Sequence, residues 1–170
     1  MLTILPLSQV PGTLSTCIAW SDREWRADSG FEAVDWQEEF RRIREHPVDE
    51  VFVAFQGDEP VGMIWMLEHE GAASHQHLTP WISNLIVDPA KRRRGIAGHL
   101  LAHVEAYAAR GGDHDLYLLT VTPQIYVNRD WQVMDTAALT NRQVFVMQKN
   151  LIPPPGQATP DSIADKSTPG

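Results

Sequence analysis

The stretch WISNLIVDPAKRRRGIAGHLL, residues 81–101, carries the strongest structural signal in the chain. It begins with a largely apolar run up to Val87, which is typical of a strand, and Asp88-Pro89 ends that run. Four consecutive cations, Lys91 to Arg94, follow. Apolar residues then recur every four positions, as on one face of a helix, at Ile96, Leu100, Val104 and Ala108. The stretch therefore predicts a strand, a tight basic turn and a helix.

The predicted helix start has the properties of an anion site. Its first turn would carry unpaired N–H groups and the positive end of the helix macrodipole. Gly95 and Gly98 would leave room for a ligand close to the backbone, and the cations add charge within a chain of net charge −8. The alternative is a solvated basic turn before an ordinary helix. The context favours a phosphate or a pyrophosphate.

The same residues carry a resemblance to a known family. Residues 92–97, RRRGIA, match the pattern Arg/Gln-x-x-Gly-x-Gly/Ala, and LIVDP at 85–89 matches the strand end before it. In this order the motifs resemble the GCN5-related N-acetyltransferases (the GNAT superfamily) over about residues 2–150. The segments TPWIS at 79–83 and LYLLT at 116–120 resemble a small bacterial subgroup of unassigned substrate within it. The resemblance implies a GNAT-like α/β (α+β) fold, with a central mixed, mostly antiparallel twisted sheet of about seven strands and helices on both faces.

The resemblance also implies a co-substrate, acetyl-CoA. In the family the strand end pairs with the pantetheine arm, and the basic motif binds the pyrophosphate. The implied contacts are Leu85, Ile86 and Val87 for the arm, and Arg92, Arg93, Arg94, Gly95, Ile96, Ala97 and Gly98 for the pyrophosphate. The implied activity is transfer of the acetyl group to a primary amine by direct attack in a ternary complex. The alternative is a non-catalytic acyl-CoA-binding module.

Two catalytic residues are expected on the same basis. A family pattern, Tyr-x-x-x-Gly followed by an aromatic residue, places a tyrosine hydroxyl at the CoA sulfur. Tyr126 and Trp131 match it, although Asp130 stands in place of the glycine. The family base is often a glutamate near the central strand, which makes Glu68 the candidate here. His75 is a weaker candidate, because a loop histidine titrates in a suitable range.

Composition excludes several other functions. A net charge of −8 and a pI near 5.2 argue against nucleic acid and mildly favour cationic ligands. The single cysteine, Cys17, fits a reducing compartment and is expected to be a buried apolar residue. No segment is apolar over 18 consecutive residues, so we expect no membrane span and a cytoplasmic protein.

Two clusters of residues are candidates for further sites. The segment 68–77 contains His75 and His77 with acidic neighbours, but two histidines at i and i+2 on a loop do not fix a coordination geometry. We expect an exposed histidine pair and no metal. The resemblance implies that the acceptor, a small-molecule amine or a peptide N-terminus, lies near the first two predicted helices. The residues that could hold a cationic amine there are Trp20, Trp25 and Trp36 with Asp22, Glu24 and Asp28.

The chain is expected to form one GNAT domain over residues 1–151, followed by a disordered Pro/Ser/Thr-rich tail over 152–170. Two copies could pair through the last strands, at residues 144–147. The predicted helices are 14–26, 34–45, 96–110 and 123–129, and the predicted strands are 2–7, 50–55, 60–68, 82–87, 116–121, 131–135 and 143–151.

Overall fold

A computed structural model describes residues 1–27, 31, 33–139 and 142–152. Seven strands form one sheet: β1 Leu2–Pro6, β2 Glu50–Gln56, β3 Glu59–Leu67, β4 Trp81–Val87, β5 Asp115–Thr120, β6 Gln132–Leu139 and β7 Arg142–Asn150. The α-helices within these residues are α1 Leu14–Trp25, α2 Trp36–Glu45, α3 Ile96–Arg110 and α4 Gln124–Val127. The strand order is β1-β2-β3-β4-β5-β7-β6. Every neighbouring pair is antiparallel except β4 and β5.

Helices cover both faces of this sheet, and two apolar clusters fill the layers between. The four-residue repeat of α3 packs against one face together with Phe52, Ile64 and Trp131. Helices α1 and α2 pack against the other face around Phe40 and Trp65. Asp35 caps α2, since its Oδ1 accepts a hydrogen bond of 3.2 Å from the Glu38 N–H.

The connection between β3 and β4 covers the second face beyond the two helices. A third cluster joins Ala72 of this connection to β5 and β7, at Tyr117 and Val146. His75 Nε2 lies 2.8 Å from Asp135 Oδ2 on β6. This contact corrects one expectation: His75 is 6% exposed and is not part of an exposed pair. The reason is the packing of the connection on the sheet, which the local sequence does not indicate.

The sheet opens between β4 and β5. The two parallel strands pair only at Trp81 with Tyr117 and at Ile82 with Leu118. Beyond Ile82 they separate, so that a cleft widens toward the carboxyl ends of both strands. The start of α3 and the segment that contains α4 follow these ends directly. Ligands commonly bind at such a position in sheets with parallel neighbours.

The predicted mixed, mostly antiparallel sheet of seven strands with helices on both faces is confirmed. One element is longer than its prediction: β6 continues past Asp135 to Leu139, because residues 136–139 pair with the start of β7 in a hairpin. The predicted disordered tail lies outside the described residues from position 153 onward. None of the described helices is long and apolar enough to cross a membrane.

Candidate active site

A bulge in β4 shapes the cleft. Trp65 of β3 pairs with Ser83, and Met63 pairs with Ile86, so β4 contains one more residue than β3 over the same length. Asn84 takes up the extra residue with a φ of 48°, a conformation that asparagine tolerates better than most residues. The bulge lies just beyond the last paired residues of β4 and β5. It disrupts the regular pairing of β4 with β3 at the level where β4 and β5 separate.

Side-chain hydrogen bonds hold this bulge against α1. The Trp25 indole Nε1 donates to Asn84 Oδ1 at 2.6 Å, and Asn84 Nδ2 donates to Ser21 Oγ at 3.0 Å. Ser21 Oγ in turn donates to the Cys17 carbonyl at 3.1 Å. Asn84 and Ser21 are buried, so each bond replaces contact with water. In the sequence, the only local sign of this network is an asparagine inside an apolar strand.

We expect Asn84→Ala to lower the free energy of unfolding by about 2 kcal/mol, as measured by urea unfolding. The change removes two hydrogen bonds, leaves the partly buried indole N–H of Trp25 unpaired and puts alanine at a positive φ. The neighbouring Ser83→Ala is the control and should change stability by less than about 0.5 kcal/mol. Equal stability of the two variants would contradict the structural role given to Asn84.

The basic turn between β4 and α3 contains both anchored and free cations. Lys91 pairs with Glu59 at 2.8 Å. Arg92 folds back, with Nε donating to the Val87 carbonyl and Nη2 to Glu24, both at 3.1 Å. Arg93 and Arg94 are exposed, and no described carboxylate pairs with either of them. The turn therefore uses its first two cations to hold its shape and presents the next two to solvent.

Gly95 connects this turn to the helix. Its φ is 77°, in the left-handed region that glycine adopts without strain, and α3 starts at the next residue. The first-turn N–H groups of an α-helix have no partner within the helix. Here they follow Arg93 and Arg94 directly in the chain, at the positive end of the dipole. The arrangement suits a phosphate or a pyrophosphate.

Tyr126 lies on the other side of the cleft, on the short helix α4. Its ring packs on the core cluster under α3, with its centroid 6.3 Å from that of Trp131. Burial raises the pKa of the Tyr126 hydroxyl above its ordinary value. No hydrogen bond to this hydroxyl occurs within the described part of the chain. Asp130 has a φ of 64°, so it adopts the backbone conformation that favours glycine at this position of the motif.

Comparison with known proteins agrees with this geometry. The model of the acetyltransferase (GNAT) family matches residues 16–131. The chain belongs to this family. It is therefore an acetyl-CoA-dependent acetyltransferase, and the resemblance inferred from residues 85–97 is confirmed. No curated protein matches the chain in sequence.

Solved structures of similar fold include several acetyltransferases. An aminoglycoside 6'-N-acetyltransferase in complex with coenzyme A superposes with a TM-score of 0.72 at 18% identity, covering 90% of this chain and 99% of its own. The aminoglycoside 6'-N-acetyltransferase from Enterococcus faecium gives 0.70 at 17% identity, covering 91% and 99%. The protein yncA from Salmonella typhimurium, with its cofactor acetyl-CoA, gives 0.70 at 16% identity, covering 95% and 99%. At these identities the likeness concerns the fold.

In this GNAT acetyltransferase the proposed base lies away from Tyr126. Leu67, the last residue of β3, pairs with Trp81 at the start of β4, so Glu68 lies beyond the closed end of the cleft. Glu68 Oε2 is 3.3 Å from His46 Nε2 at the end of α2. The structure brings residues 85–98 and Tyr126 to the same end of the cleft, but it does not bring Glu68 there.

The weaker candidate, His75, has both ring nitrogens in hydrogen bonds. Nδ1 lies 2.7 Å from Ser74 Oγ, and Nε2 lies 2.8 Å from Asp135 Oδ2. The hydrogen bond from His75 lowers the pKa of the Asp135 carboxyl. Among the described residues, no group of three or more His, Cys, Asp or Glu side chains could hold a metal ion.

Two of the three carboxylates expected to attract a cationic acceptor form ion pairs with arginines. Asp22 pairs with Arg26, and Glu24 pairs with Arg92. Asp28 lies outside the described residues. The tryptophans of this region, Trp20, Trp25 and Trp36, have their own roles: Trp20 and Trp36 are buried in the core, and Trp25 binds Asn84.

Trp65 contains an unsatisfied polar group that no sequence pattern indicates. Its indole Nε1 is buried without a hydrogen-bond partner, the sole side-chain atom of this kind among the described residues. Its pairing partner on β4 is Ser83, which is only half-buried on the face that α1 and α2 cover. An unpaired buried N–H costs about 1–3 kcal/mol, so a water molecule or a ligand atom at this position would stabilise the protein.

Proposed function

We propose that this enzyme transfers the acetyl group of acetyl-CoA to a primary amine, by direct attack within a ternary complex. The observation that carries the proposal is the cleft between β4 and β5, which opens toward the Arg93–Gly95 turn on one side and Tyr126 on the other. A site of this shape can hold a phosphate-bearing thioester at the turn and its sulfur near the tyrosine. Direct attack requires both reactants to be bound at once, which is mainly a matter of positioning.

Three tasks remain for the residues of the chain. The carbonyl oxygen must be stabilised as negative charge develops, and backbone N–H groups near the bulge, at Leu85 and Val87, are our candidates. The leaving thiolate must receive a proton, which we assign to Tyr126. Because burial raises the pKa of Tyr126, its hydroxyl stays protonated at neutral pH and can donate to a thiolate of ordinary pKa, about 8.5. The acceptor amine must lose a proton before it attacks.

Glu68 is the proposed base for this last task, and it would act through water because of its position. We expect Glu68→Gln to lower kcat about tenfold with little change in the KM for acetyl-CoA. Glu70→Gln, two residues along the same loop, is the matched control and should leave kcat unchanged. A Glu68→Gln enzyme with full kcat would exclude Glu68 and direct the search to His75.

The acceptor is proposed as a small-molecule amine or a peptide N-terminus. The net charge of −8 favours a cationic acceptor through long-range attraction. Two of the similar structures are aminoglycoside N-acetyltransferases, which makes polycationic amines a reasonable first choice in a screen. A cytoplasmic location and pairing of two copies through the last strands stay predictions.

The proposal is tested by measuring thiol release from acetyl-CoA in the presence of an amine panel, with mass spectrometry of the products. The panel should contain an aminoglycoside, a polyamine, an amino acid and a peptide with a free N-terminus. We expect thiol release that depends on the amine, together with an amine product whose mass has increased by about 42 Da, as acetylation requires. Binding of acetyl-CoA without release for any amine would instead favour a non-catalytic acyl-CoA-binding module.

A further inference from the structure

The guanidinium group of Arg129 lies against the first turn of α3. A Cβ atom placed on Gly98 would be 2.6 Å from both Nη atoms of Arg129 and 2.9 Å from its Cζ. Real Cβ atoms do not approach other atoms this closely, so any other residue at position 98 would displace the guanidinium. Gly98 thus provides the space in which the Arg129 side chain reaches the backbone of α3.

The backbone of Arg129 is held in place by partners on two other elements. Lys149 Nζ on β7 donates to the Arg129 carbonyl at 2.9 Å and to Glu105 Oε2 on α3 at 2.8 Å. Glu105 Oε1 also accepts from the Trp131 indole Nε1 at 3.2 Å. The Lys149 and Glu105 side chains are each only 18% exposed, so this is a partly buried, well-connected anchor. The segment that carries Tyr126 and Arg129 is therefore fixed along the side of α3.

Arg129 is exposed to solvent, and its charge is uncompensated within the described residues. No described carboxylate pairs with its guanidinium, whereas Lys91, Arg92 and Lys149 each have a carboxylate partner. A cation beside the first turn of a helix is also disfavoured by the positive end of the macrodipole. Arg93 and Arg94 add two further unpaired cations at the same end of α3. An anion bound at this end of α3 would be attracted by all three cations.

We propose that Arg129 is a further binding residue for the pyrophosphate of acetyl-CoA, which it contacts from the α4 side, opposite the basic turn. The inference rests on the proposed function, because it assumes acetyl-CoA at the start of α3. The planar guanidinium suits bidentate contact with phosphate oxygens. Gly98 belongs to the same helical turn as Ile96 and Ala97, which the family motif assigns to the pyrophosphate. We therefore assign Arg129 to the pyrophosphate and not to the 3′-phosphate of the ribose.

The test is calorimetric titration of acetyl-CoA, and of acetyl-dephospho-CoA, into three proteins: wild type, Arg129→Gln and Arg110→Gln. Arg110 lies at the opposite end of α3, so its variant has the same change of net charge without a phosphate in reach. We expect Arg129→Gln to bind both ligands about tenfold more weakly than wild type, and Arg110→Gln to bind them within about twofold. The melting temperatures of the three proteins, measured alongside, should agree.

Several results would overturn the inference. Unchanged or tighter binding by Arg129→Gln would show that the side chain does not contact the cofactor or that it obstructs the cleft. An equal loss in both variants would show a general effect of charge. A loss that disappears with acetyl-dephospho-CoA would contradict the assignment to the pyrophosphate. Wild-type protein that binds neither ligand would refute the proposed function itself, whereas normal wild-type binding with any of these results refutes only the role of Arg129.

Discussion

Replacing Tyr126 with phenylalanine is expected to lower kcat about 100-fold while the affinity for acetyl-CoA stays within about twofold of wild type. The change removes the hydroxyl that would protonate the thiolate, but it keeps the ring that packs on Trp131 and the core. Thiol-release kinetics give kcat, and calorimetry gives the affinity. Because the acid form is the active one and burial raises the pKa of Tyr126, the loss of wild-type activity at high pH should occur above the pH at which an ordinary tyrosine ionises.

Tyr107→Phe provides the control for this prediction. Tyr107 lies on α3 against Phe52, on the side of the helix that faces β2. We expect this variant to keep wild-type kcat, because its hydroxyl is remote from the cleft. Full activity of Tyr126→Phe would contradict the catalytic role and leave Tyr126 as a packing residue.

Replacing Gly62 with valine is expected to lower the free energy of unfolding by about 3 kcal/mol. A Cβ on Gly62 would lie 2.9 Å from the carbonyl oxygen of Ile86 and 3.2 Å from a methyl group of Leu100. The first of these is a backbone atom of β4, which cannot move without disturbing the bulge. Urea unfolding measures the loss, and weaker binding of acetyl-CoA should accompany it because α3 packs on this residue.

Gly12→Val is the matched substitution for this comparison. No atom lies within 4 Å of a Cβ placed on Gly12, and its φ is not in the left-handed region. We expect Gly12→Val to change stability by less than about 1 kcal/mol. Similar losses in both variants would mean that a general cost of replacing glycine, and not the close approach of β3 to β4 and α3, explains the effect.

The fold was predictable from sequence because its signals are local. The apolar strand, Asp-Pro, basic run and four-residue repeat of residues 81–101 occur within one continuous stretch, and the structure forms β4, the turn and α3 from it. The cap of α2 is likewise local, since Asp35 accepts from the N–H of Glu38 only three residues along the chain. Such signals arise from local backbone preferences and from the periodic spacing of apolar residues, and both can be read from a single sequence.

Contacts between distant segments were not predictable in the same way. The Asn84 bulge depends on side chains about 60 positions earlier in the chain, and the burial of His75 depends on Asp135 of β6. The position of Arg129 on Gly98 depends on how the α4 segment packs along α3. The basic turn and Tyr126 were chosen because each matches a short family pattern. No such pattern supported the choice of Glu68.

Calorimetric titration of acetyl-CoA into the wild-type protein, beside the double variant Arg94→Glu with Gly95→Asp, tests the central claim most directly. The two changes place negative charge at the start of α3, where the pyrophosphate is proposed to bind. We predict one acetyl-CoA per wild-type chain with a Kd in the range of about 1–100 μM, and binding at least about 100-fold weaker in the variant. Equal binding by both proteins, or no binding by the wild type, would contradict the account of this site.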